Sequence, residues 1–490
     1  MLASILALAL FASDSVPGPK ATQCTQAEDM TADQAYGKGT ALFQQGKYVE
    51  AIIYLTEAIE KDNAYFAAYV NRGSCYNGVM QYDKAIADFD RAEELAPEHP
   101  FPNVNRGNTY RMMGQYAVAM EQYEKALEKS PDFEPALNGR ALCRFYLGQA
   151  AVAIKEINSL ISKNPENVDY ICTRGFLLLA MGAYDKAIAD FNAALKLKPQ
   201  HIDALVNRGC SYWRKGDLQK AKDDFDSVIK SAPDHANAYS NRAQILRYTD
   251  MKAALEDAEM AVKLAGGSLG SLRVRAEIFR CALRFDDAIA DYTACLKLDP
   301  QHKECMYYIA LAYYQKKDAK SSREWFEKLG ALDPKYPYLD YQIGHCYKQE
   351  KKYDEAIASY RKAQELQDGV FIHVSIAECL AAKGDAVKAR DEIAIAEKLA
   401  EQLPGVPQAE VLYTKACVAS ISSLTHGKGK KAEAAAQADV ERAVTYLEDA
   451  RKEGFWDYAH IETDEDIAPI RKHKRYEKLI KEMKLPKQDK

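Results

Sequence analysis

The sequence lacks the short motifs that mark several common enzyme and metal sites. It has no phosphate-binding P-loop and no HExxH zinc motif, and its nine histidines are scattered. Its 11 cysteines include no CxxC pair and no cluster with histidine at metal-ligand spacing. We therefore predict that the protein is not an enzyme and that it uses neither a cofactor nor a metal ion, with a cryptic active site as a less favoured alternative.

An excess of charge of either sign is also missing. The chain has 66 Lys and Arg against 71 Asp and Glu, which gives a net charge of -5. Binding along nucleic acid or on an anionic membrane is favoured by a surplus of basic residues. We expect a protein or peptide partner and no nucleic acid, although an RNA-binding helical repeat is a less favoured alternative of similar architecture.

Long apolar runs are missing except at the N-terminus. Residues 2–12 (LASILALALFA) are too short to cross a bilayer but match the hydrophobic region of a signal peptide in length. No Lys or Arg follows Met1, which departs from that pattern. We predict a signal peptide at residues 1–15, a linker at 16–31 and export to the periplasm or the cell exterior; without the signal the protein would be cytoplasmic.

The sequence does contain an internal repeat. The triplet Asn-Arg-Gly occurs at residues 71–73 and again 34 residues later at 105–107. It returns at residues 207–209, three further steps of 34 residues along the chain. A chain of 490 residues is too long for one ordinary core, whereas an array of repeats adds core by stacking.

This repeat resembles the tetratricopeptide-repeat (TPR) family, in particular its exported bacterial members. In residues 66–99 the family's signature positions hold Tyr69, Gly73, Tyr76, Ala85, Phe89, Ala92 and Pro97, while Arg72 replaces the usual Leu. The resemblance covers about residues 32 to 452. It implies an all-α fold, a right-handed α-solenoid superhelix of about twelve helix-turn-helix repeats.

The repeat register defines the expected organisation of the chain. Eleven repeats fill residues 32–404, and an irregular twelfth repeat with an extended inter-helix loop at 425–437 fills residues 405–453. Repeats 7 and 11 are each one residue short, which predicts altered turns between their two helices. In QYDKAIADFDRAEEL, Ala85, Phe89 and Ala92 recur at helical spacing and predict one buried face.

Both ends of the array are predicted to be closed. Thr31 to Gln34 has the form of a capping box that opens the first helix. Residues 454–490 form a C-terminal capping segment, in which Phe455, Trp456 and Tyr458 would cover the last repeat. Its basic helix has an apolar face made of Tyr476, Leu479, Ile480 and Met483. Residues 471–490 leave an alternative function open, a tether for envelope or membrane assembly through peripheral contact with an anionic surface.

The resemblance places ligands in a concave groove lined mainly by the first helices. The dicarboxylate clamp of chaperone-binding members is not matched, because its five places hold Tyr36, Thr40, Asn71, Phe101 and Asn105, and only Asn71 fits. The asparagine ladder of the O-linked GlcNAc transferase family fits better. Position 6 of repeats 2, 3, 6 and 7 is Asn71, Asn105, Asn207 and Asn241.

These four asparagines are our candidate peptide-binding residues. A side-chain amide both donates and accepts, so it can hold a peptide by its backbone. The alternative is that each amide fixes the neighbouring repeat. After repeat 7, position 6 becomes Val274, Tyr308, Gln342 and Ile376. Tyr307, Tyr308 and Tyr341 form a second, weaker candidate groove surface.

Position 7 carries a longer series of arginines. These are Arg72, Arg106, Arg140, Arg174, Arg208, Arg242 and Arg275. We expect each guanidinium to pair with a carboxylate of the next repeat, with Asp88, Asp190 and Asp224 as partners, because an unpaired buried charge is costly. A basic stripe for an anionic ligand is the alternative.

Overall fold

The computed structural model describes residues 30–401, 408–424, 426, 428–455, 461–462 and 464–483. The predicted signal peptide and the predicted cap residues Trp456 and Tyr458 lie outside these described residues. Within them the chain forms helices joined by short connections, with no β-strand. The prediction of an all-α helical repeat is confirmed, whereas the right-handed superhelical winding stays a prediction.

The chain divides into two compact units, residues 1–300 and 301–490. In the described part of unit 1, eight helix hairpins follow one another, one per repeat. Their bounds are Ala32–Gln44 with Tyr48–Lys61, Phe66–Gly78 with Tyr82–Leu95, Phe101–Met112 with Tyr116–Lys129, Glu134–Tyr146 with Ala150–Lys163, Val168–Ala180 with Tyr184–Leu197, Ile202–Lys215 with Leu218–Ser231, Ala236–Leu246 with Met251–Leu264, and Leu269–Cys281 with Phe285–Leu298.

Unit 2 continues with repeats 9 to 12 and a closing segment. Its hairpins are Lys303–Gln315 with Ala319–Leu332, Leu339–Gln349 with Tyr353–Leu366, Val370–Lys383 with Ala386–Glu401, and Gln408–Ser422 with Lys430–Lys452. A short 3-10 helix, Glu465–Ile470, and a last helix, Lys474–Met483, follow.

In repeats 2 and 10 the hairpin closes around a small residue of the first helix and a large residue of the second. Ala85, Phe89 and Ala92 of the second helix of repeat 2 are fully buried, as their spacing predicts. A Cβ added to Gly73 would lie 2.6 Å from the ring of Phe89. The same conflict would arise between Gly344 and Tyr360 in repeat 10, so close packing of the two helices is common to both units.

The turn between the two helices of repeat 7 is altered, as predicted. In repeats 1 to 6 this turn contains a residue with positive φ, for example Gly216 at 85°. In repeat 7 the turn residues 247–250 include none. Its second helix is instead capped by Asp250, whose carboxylate accepts from the backbone N–H of Ala253 at 3.1 Å.

The corresponding prediction for repeat 11 is wrong. Its inter-helix turn is ordinary, with Gly384 in the left-handed region and the same backbone hydrogen bonds as around Gly216. The missing residue lies earlier, in the connection between repeats 10 and 11. The first helix of repeat 11 is therefore shifted by one residue, so that Ser375 takes position 6 and Ile376 takes position 7.

The extended loop predicted in repeat 12 is also wrong in its extent. The second helix begins at Lys430, so the helices are joined by residues 423–429 and most of the predicted loop is helical. Residues 430–437 (KKAEAAAQ) are all strong helix formers, and this propensity outweighs the 34-residue register.

Both described ends of the array are capped by specific contacts. At the start, Gln34 N donates to Thr31 Oγ1 and Thr31 N donates to Gln34 Oε1, which is the predicted capping box. At the end, the ring of Phe455 stacks on Tyr413 at 4.5 Å. The predicted apolar face of the last helix, Tyr476, Leu479, Ile480 and Met483, is buried against repeat 12.

Candidate peptide-binding groove

The position-6 asparagines differ in what their amides contact, although all four lie on first helices. The amide nitrogen of Asn71 donates to Tyr36 Oη at 3.3 Å and to Thr40 Oγ1 at 3.0 Å. Both acceptors belong to the first helix of repeat 1. This amide therefore ties repeat 2 to repeat 1, as the alternative interpretation expects.

The amide of Asn241 is also used inside the protein. Asn241 is only 8% exposed, and its nitrogen donates to the sulfur of Cys210 at 3.8 Å. Burial raises the pKa of Cys210 to about 12, so the acceptor is a neutral thiol. Asn241 thus packs repeat 7 onto repeat 6.

The amides of Asn105 and Asn207 remain open. Both residues are partly buried, and only their backbone carbonyls are engaged, by the hydroxyls of Thr109 and Ser211. Across the described residues, no side chain hydrogen-bonds to either amide. These are the two predicted site residues whose donors and acceptors are available to a ligand.

The residue 31 positions earlier accounts for three of the four amides, and Asn105 is the exception. Thr40 and Cys210 precede Asn71 and Asn241 by that spacing, and each accepts a hydrogen bond. The equivalent residue for Asn207 is Phe176, which has no acceptor. For Asn105 it is Ser74, whose hydroxyl donates to the backbone of its own helix at Val70.

The position-7 arginines form a ladder that joins neighbouring helices of unit 1. Arg208 binds the carboxylate of Asp224 through two hydrogen bonds, with Nε at 2.9 Å and Nη2 at 2.6 Å. Its third nitrogen donates to Asn192 at 2.7 Å. The hydrogen bond to Asp224 raises the pKa of Arg208, which stays charged. Four more bidentate pairs have the same form: Arg72 with Asp88, Arg174 with Asp190, Arg242 with Asp257, and Arg275 with Asp291.

The predicted partners Asp88, Asp190 and Asp224 are correct, but the predicted direction is wrong. Each lies on the second helix of the arginine's own repeat, 16 residues later, and not on the next repeat. The remaining guanidinium nitrogen contacts the preceding repeat instead. It donates from Arg208 to Asn192 in repeat 5 and from Arg242 to Asp226 in repeat 6.

Two rungs of the ladder differ. Arg106 binds Gln122, Asp90 and Glu93, while Arg140 binds Glu156 at 2.5 Å. Because all seven guanidinium groups have partners of this kind, the ladder is a structural element, and the interpretation as a basic stripe for an anionic ligand is not favoured.

Family comparison agrees with the repeat and its register. Profiles described as "Tetratricopeptide repeat" match residues 64–131, and 104–168, 206–268, 275–337. Profiles described as "TPR repeat" and "Tetratricopeptide repeat" match residues 175–216 and 341–369. Together these ranges cover more than half of the chain. The chain belongs to the tetratricopeptide-repeat family.

Among curated relatives, this TPR protein is similar to two plant proteins over a short stretch. It is 39% identical over 66 residues to "Hsp70-Hsp90 organizing protein 1" of Glycine max. It is 34% identical over 67 residues to "Hsp70-Hsp90 organizing protein" of Triticum aestivum. Each match spans 14% of this chain and 12% of the relative's length.

Solved structures also match. Yeast Tom70 matches at 19% identity with a TM-score of 0.41, covering 92% of this chain and 99% of that one. YrrB, described as "a TPR protein with an unusual peptide-binding site", matches at 27% identity with a TM-score of 0.26, covering 38% and 95%.

The predicted tyrosine surface of the TPR array is largely engaged in packing. The ring of Tyr307 contacts Phe326 and Tyr336 at 5.6 and 5.5 Å, and it makes an edge contact with Tyr308 at 5.7 Å. Tyr341 packs on the ring of His345 at 4.4 Å. Burial raises the pKa of Tyr341 to about 12. A ligand role for these tyrosines stays a prediction.

The closing segment lies on groove-facing positions of repeat 12. The hydroxyl of Tyr413 and the thiol of Cys417 both donate to the carboxylate of Asp464. Ile461, Ile467 and Ile470 are buried in the same cluster. The groove of this last repeat is therefore filled by the chain itself, whereas the open amides of Asn105 and Asn207 lie in unit 1.

One sequence pattern that suggests chemistry has a structural role. Residues 266–270 (GGSLG) have the GxSxG spacing of hydrolase nucleophiles, but Ser268 is buried and its hydroxyl accepts from the backbone N–H of Ser271 as a helix cap. In the part of the chain that the structure describes, no group of three or more His, Cys, Asp and Glu side chains could hold a metal ion.

The basic last helix is paired in part with charged residues of repeat 12. Arg475 binds Glu441 at 2.8 Å and Glu448 at 2.7 Å, and Arg451 of repeat 12 binds Glu482. The apolar face of the last helix is buried, so this helix has no exposed apolar face to insert into a bilayer. None of the described helices is both long and apolar enough to span a membrane.

Proposed function

We propose that this TPR protein is a non-catalytic scaffold that binds an extended peptide segment along the first helices of repeats 3 to 6. The observation that carries the proposal is the pair of open amides at Asn105 and Asn207. Each is held on a rigid helix at the ladder position of the repeat, and neither is used by a protein side chain within the described residues.

Side-chain amides at these places favour recognition of the peptide backbone. One amide can accept from a backbone N–H and donate to a backbone C=O of the same ligand residue, with little dependence on the ligand's side chains. The arginines at the next position are paired with carboxylates, so they offer no surplus positive field for an anionic ligand. We expect weak sequence preference and an extended ligand.

The names of the plant relatives do not transfer directly to this chain. Those relatives are described as organizing Hsp70 and Hsp90, and the match covers a small part of them. In this chain two of the five clamp places are Tyr36 and Thr40, whose hydroxyls are bound by Asn71. The cationic groups of a carboxylate clamp are missing there, so we propose no chaperone partner.

Peptide display provides the test. A library of random short peptides is selected on the full chain, and the enriched peptides are titrated against two double variants. Asn105→Ala with Asn207→Ala removes the open amides and should weaken binding by at least about tenfold, since each lost hydrogen bond costs about 1 kcal/mol. The variant should melt at the wild-type temperature.

The matched control is Asn71→Ala with Asn241→Ala. These substitutions remove amides that bind the preceding repeat, so they should lower the melting temperature and leave affinity nearly unchanged. N-methylation of single backbone nitrogens in an enriched peptide should weaken binding more than substitution of its side chains by Ala. Unchanged affinity of the Asn105 and Asn207 variant would contradict the proposal.

Export of the protein stays a prediction, because residues 1–29 lie outside the described residues. A membrane tether gains no support from the described part of the closing segment, since its last helix is used to cover repeat 12.

A further inference from the structure

A cavity of ≈ 560 Å³ lies at one edge of unit 2, away from the asparagines. It is lined by residues 335–341 and 366–372 together with Ala363. These belong to the start of the first helices of repeats 10 and 11, the connections before them and the end of the second helix of repeat 10. Its volume falls within the range of about 300–1,000 Å³ typical of small-ligand sites.

Two departures from the regular repeat form this cavity. Adjacent repeats are usually joined by four residues, such as Ser130 to Phe133. The connection from repeat 9 to repeat 10 is longer, spanning Asp333 to Tyr338, and the next is shorter, spanning Gln367 to Gly369. A long connection followed by a short one leaves the space between them unfilled.

The same edge is filled by the protein's own rings in repeats 2 to 4. There Phe66 contacts His99 at 5.0 Å, His99 contacts Phe101 at 5.1 Å, and Phe101 contacts Phe133 at 5.1 Å between ring centroids. At the cavity, Phe371 and Tyr338 contact no aromatic ring among the described residues. They are 42% and 56% exposed, and Leu366 beside them is 61% exposed.

The backbone holds Tyr338 toward solvent at a cost. Its φ is 61°, in the left-handed region that a non-glycine residue enters at about 1 kcal/mol or more. Exposed large apolar side chains around a concave surface are typical of a binding site. The floor is apolar as well, since Leu339 and Val370 are buried.

The charged side chains of the cavity lining indicate a ligand with a positive group. Asp340 and Asp368 contribute two carboxylates, and Lys335 is the one basic residue of the lining. Within the described residues Asp340 has no ion pair. Asp368 is held in place by the backbone N–H of Gly369 at 2.9 Å and by Nε2 of His373 at 3.0 Å. A positive group would meet carboxylates and tyrosine faces together.

We propose that this cavity binds a peptide segment in which large apolar side chains stand next to Lys or Arg. The apolar side chains would lie on Leu366, Phe371 and Tyr338, and the cationic group would lie by Asp340. This site is separate from the asparagines of unit 1 and does not depend on the function proposed for them.

Two synthetic peptides of matched sequence test the proposal, acetyl-KLFLK-amide and acetyl-ELFLE-amide with a fluorescent label. Titrated with the full chain, the Lys peptide should bind at least about tenfold more tightly than the Glu peptide. Leu366→Ser with Phe371→Ser should weaken binding of the Lys peptide to the affinity of the Glu peptide. Asp340→Asn should weaken binding of the Lys peptide while leaving that of the Glu peptide unchanged.

Leu298→Ser is the matched control. Leu298 ends the second helix of repeat 8 as Leu366 ends that of repeat 10, and it is 52% exposed. This variant should bind the Lys peptide as the wild type does. Equal affinity for both peptides, no binding of the Lys peptide at about 1 mM, or unchanged binding by the Leu366 and Phe371 variant would overturn the proposal. Melting curves verify that each variant is folded.

Discussion

Units 1 and 2 pack the same helical repeat with different chemistry at position 7. Repeats 2 to 8 have arginine there, paired with an acidic or amide side chain on the second helix. Repeats 9 to 11 have Ile309, Ile343 and Ile376 at the structurally equivalent place. An apolar residue is thus sufficient for the fold, so the arginine ladder has to be explained by more than the closing of a hairpin.

The difference affects the surface beside the ladder. In unit 1 the guanidinium groups keep polar side chains along the first helices, next to the open amides. In unit 2 the isoleucines are accompanied by packed tyrosines and, in repeat 12, by a closing segment that covers groove-facing positions. We infer that a polar, open groove belongs to unit 1, while unit 2 offers an apolar site at its edge.

The largest effect is expected from breaking one rung of the ladder. Arg208→Ile converts repeat 6 to the unit 2 pattern but leaves the carboxylate of Asp224 buried without its partner. The cost should be about 3 kcal/mol of unfolding free energy, because removing one member of a buried ion pair leaves an uncompensated charge. Urea unfolding monitored by the fluorescence of Trp213 in the same repeat measures it.

The double variant separates pairing from packing. Arg208→Ile with Asp224→Ala should recover most of the loss, to within about 1 kcal/mol of the wild type, since no buried charge remains. Lys230→Ala, an exposed residue of the same repeat, should change stability by less than about 0.5 kcal/mol. If the single and double variants were equally unstable, the ladder would not act as a set of ion pairs.

A smaller effect is expected at the histidine that fixes the cavity wall in unit 2. His373 is 1% exposed, and its ring nitrogens lie 2.6 Å from Glu392 Oε2 and 3.0 Å from Asp368 Oδ1. Arg361 binds the other oxygen of Glu392, and the neutral amide of Gln364 lies 3.2 Å from Nε2. The hydrogen bond to Glu392 outweighs burial and raises the pKa of His373.

The sign of the pH dependence follows from this direction. Because the pKa is higher in the folded state than the unfolded value of about 6.5, the stabilisation is fully present below about pH 6.5. It is lost as the pH rises through the folded pKa. His373→Gln should cost about 2 kcal/mol at pH 6 and less at pH 9. Thermal melts of both proteins across this range test it, and a difference that grows with pH would contradict the assignment.

Much of the fold could be predicted from the sequence because each repeat encodes its own hairpin. The 34-residue period, the small residue at Gly73 and the buried Phe89 are local signals that recur. The predicted turn or loop is wrong in repeats 11 and 12, where the repeat has missing or added residues. A one-residue deletion can be seen from the length of the repeat. Whether it falls in the turn at Gly384 or in the connection before the repeat depends on which backbone segment accommodates it.

The candidate site was less predictable because an amide's role depends on its neighbour in the previous repeat. Asn71 and Asn207 occupy the same position, yet Thr40 engages one while Phe176 cannot engage the other. The identity of the residue 31 positions earlier is a usable signal for Asn71, Asn207 and Asn241 but not for Asn105, because Ser74 has a hydroxyl as Thr40 does. The edge cavity had no comparable signal, since it arises from the lengths of two successive connections and not from any motif.

The smallest expected effect concerns the turn between the two helices of a repeat. Unit 1 has glycine at this left-handed position in repeats 1 and 3 to 6, and unit 2 has Gly384 in repeat 11. Repeats 9 and 10 of unit 2 have Lys317 and Lys351 instead, with φ of 67° and 60°. Lys351→Gly should relieve backbone strain of about 1 kcal/mol but lose part of that gain through the greater freedom of glycine in the unfolded chain. A net gain of about 0.5 kcal/mol is expected.

The reverse change in unit 1 provides the control for that prediction. A Cβ at Gly216 would meet no atom within 4 Å, so Gly216→Lys should lose about as much as Lys351→Gly gains, through φ alone. Chemical unfolding of both variants measures the two values. If the two variants change the unfolding free energy by similar amounts in opposite directions, the difference at this turn lies in backbone conformation. If both variants lose stability, the lysine side chain itself stabilises unit 2.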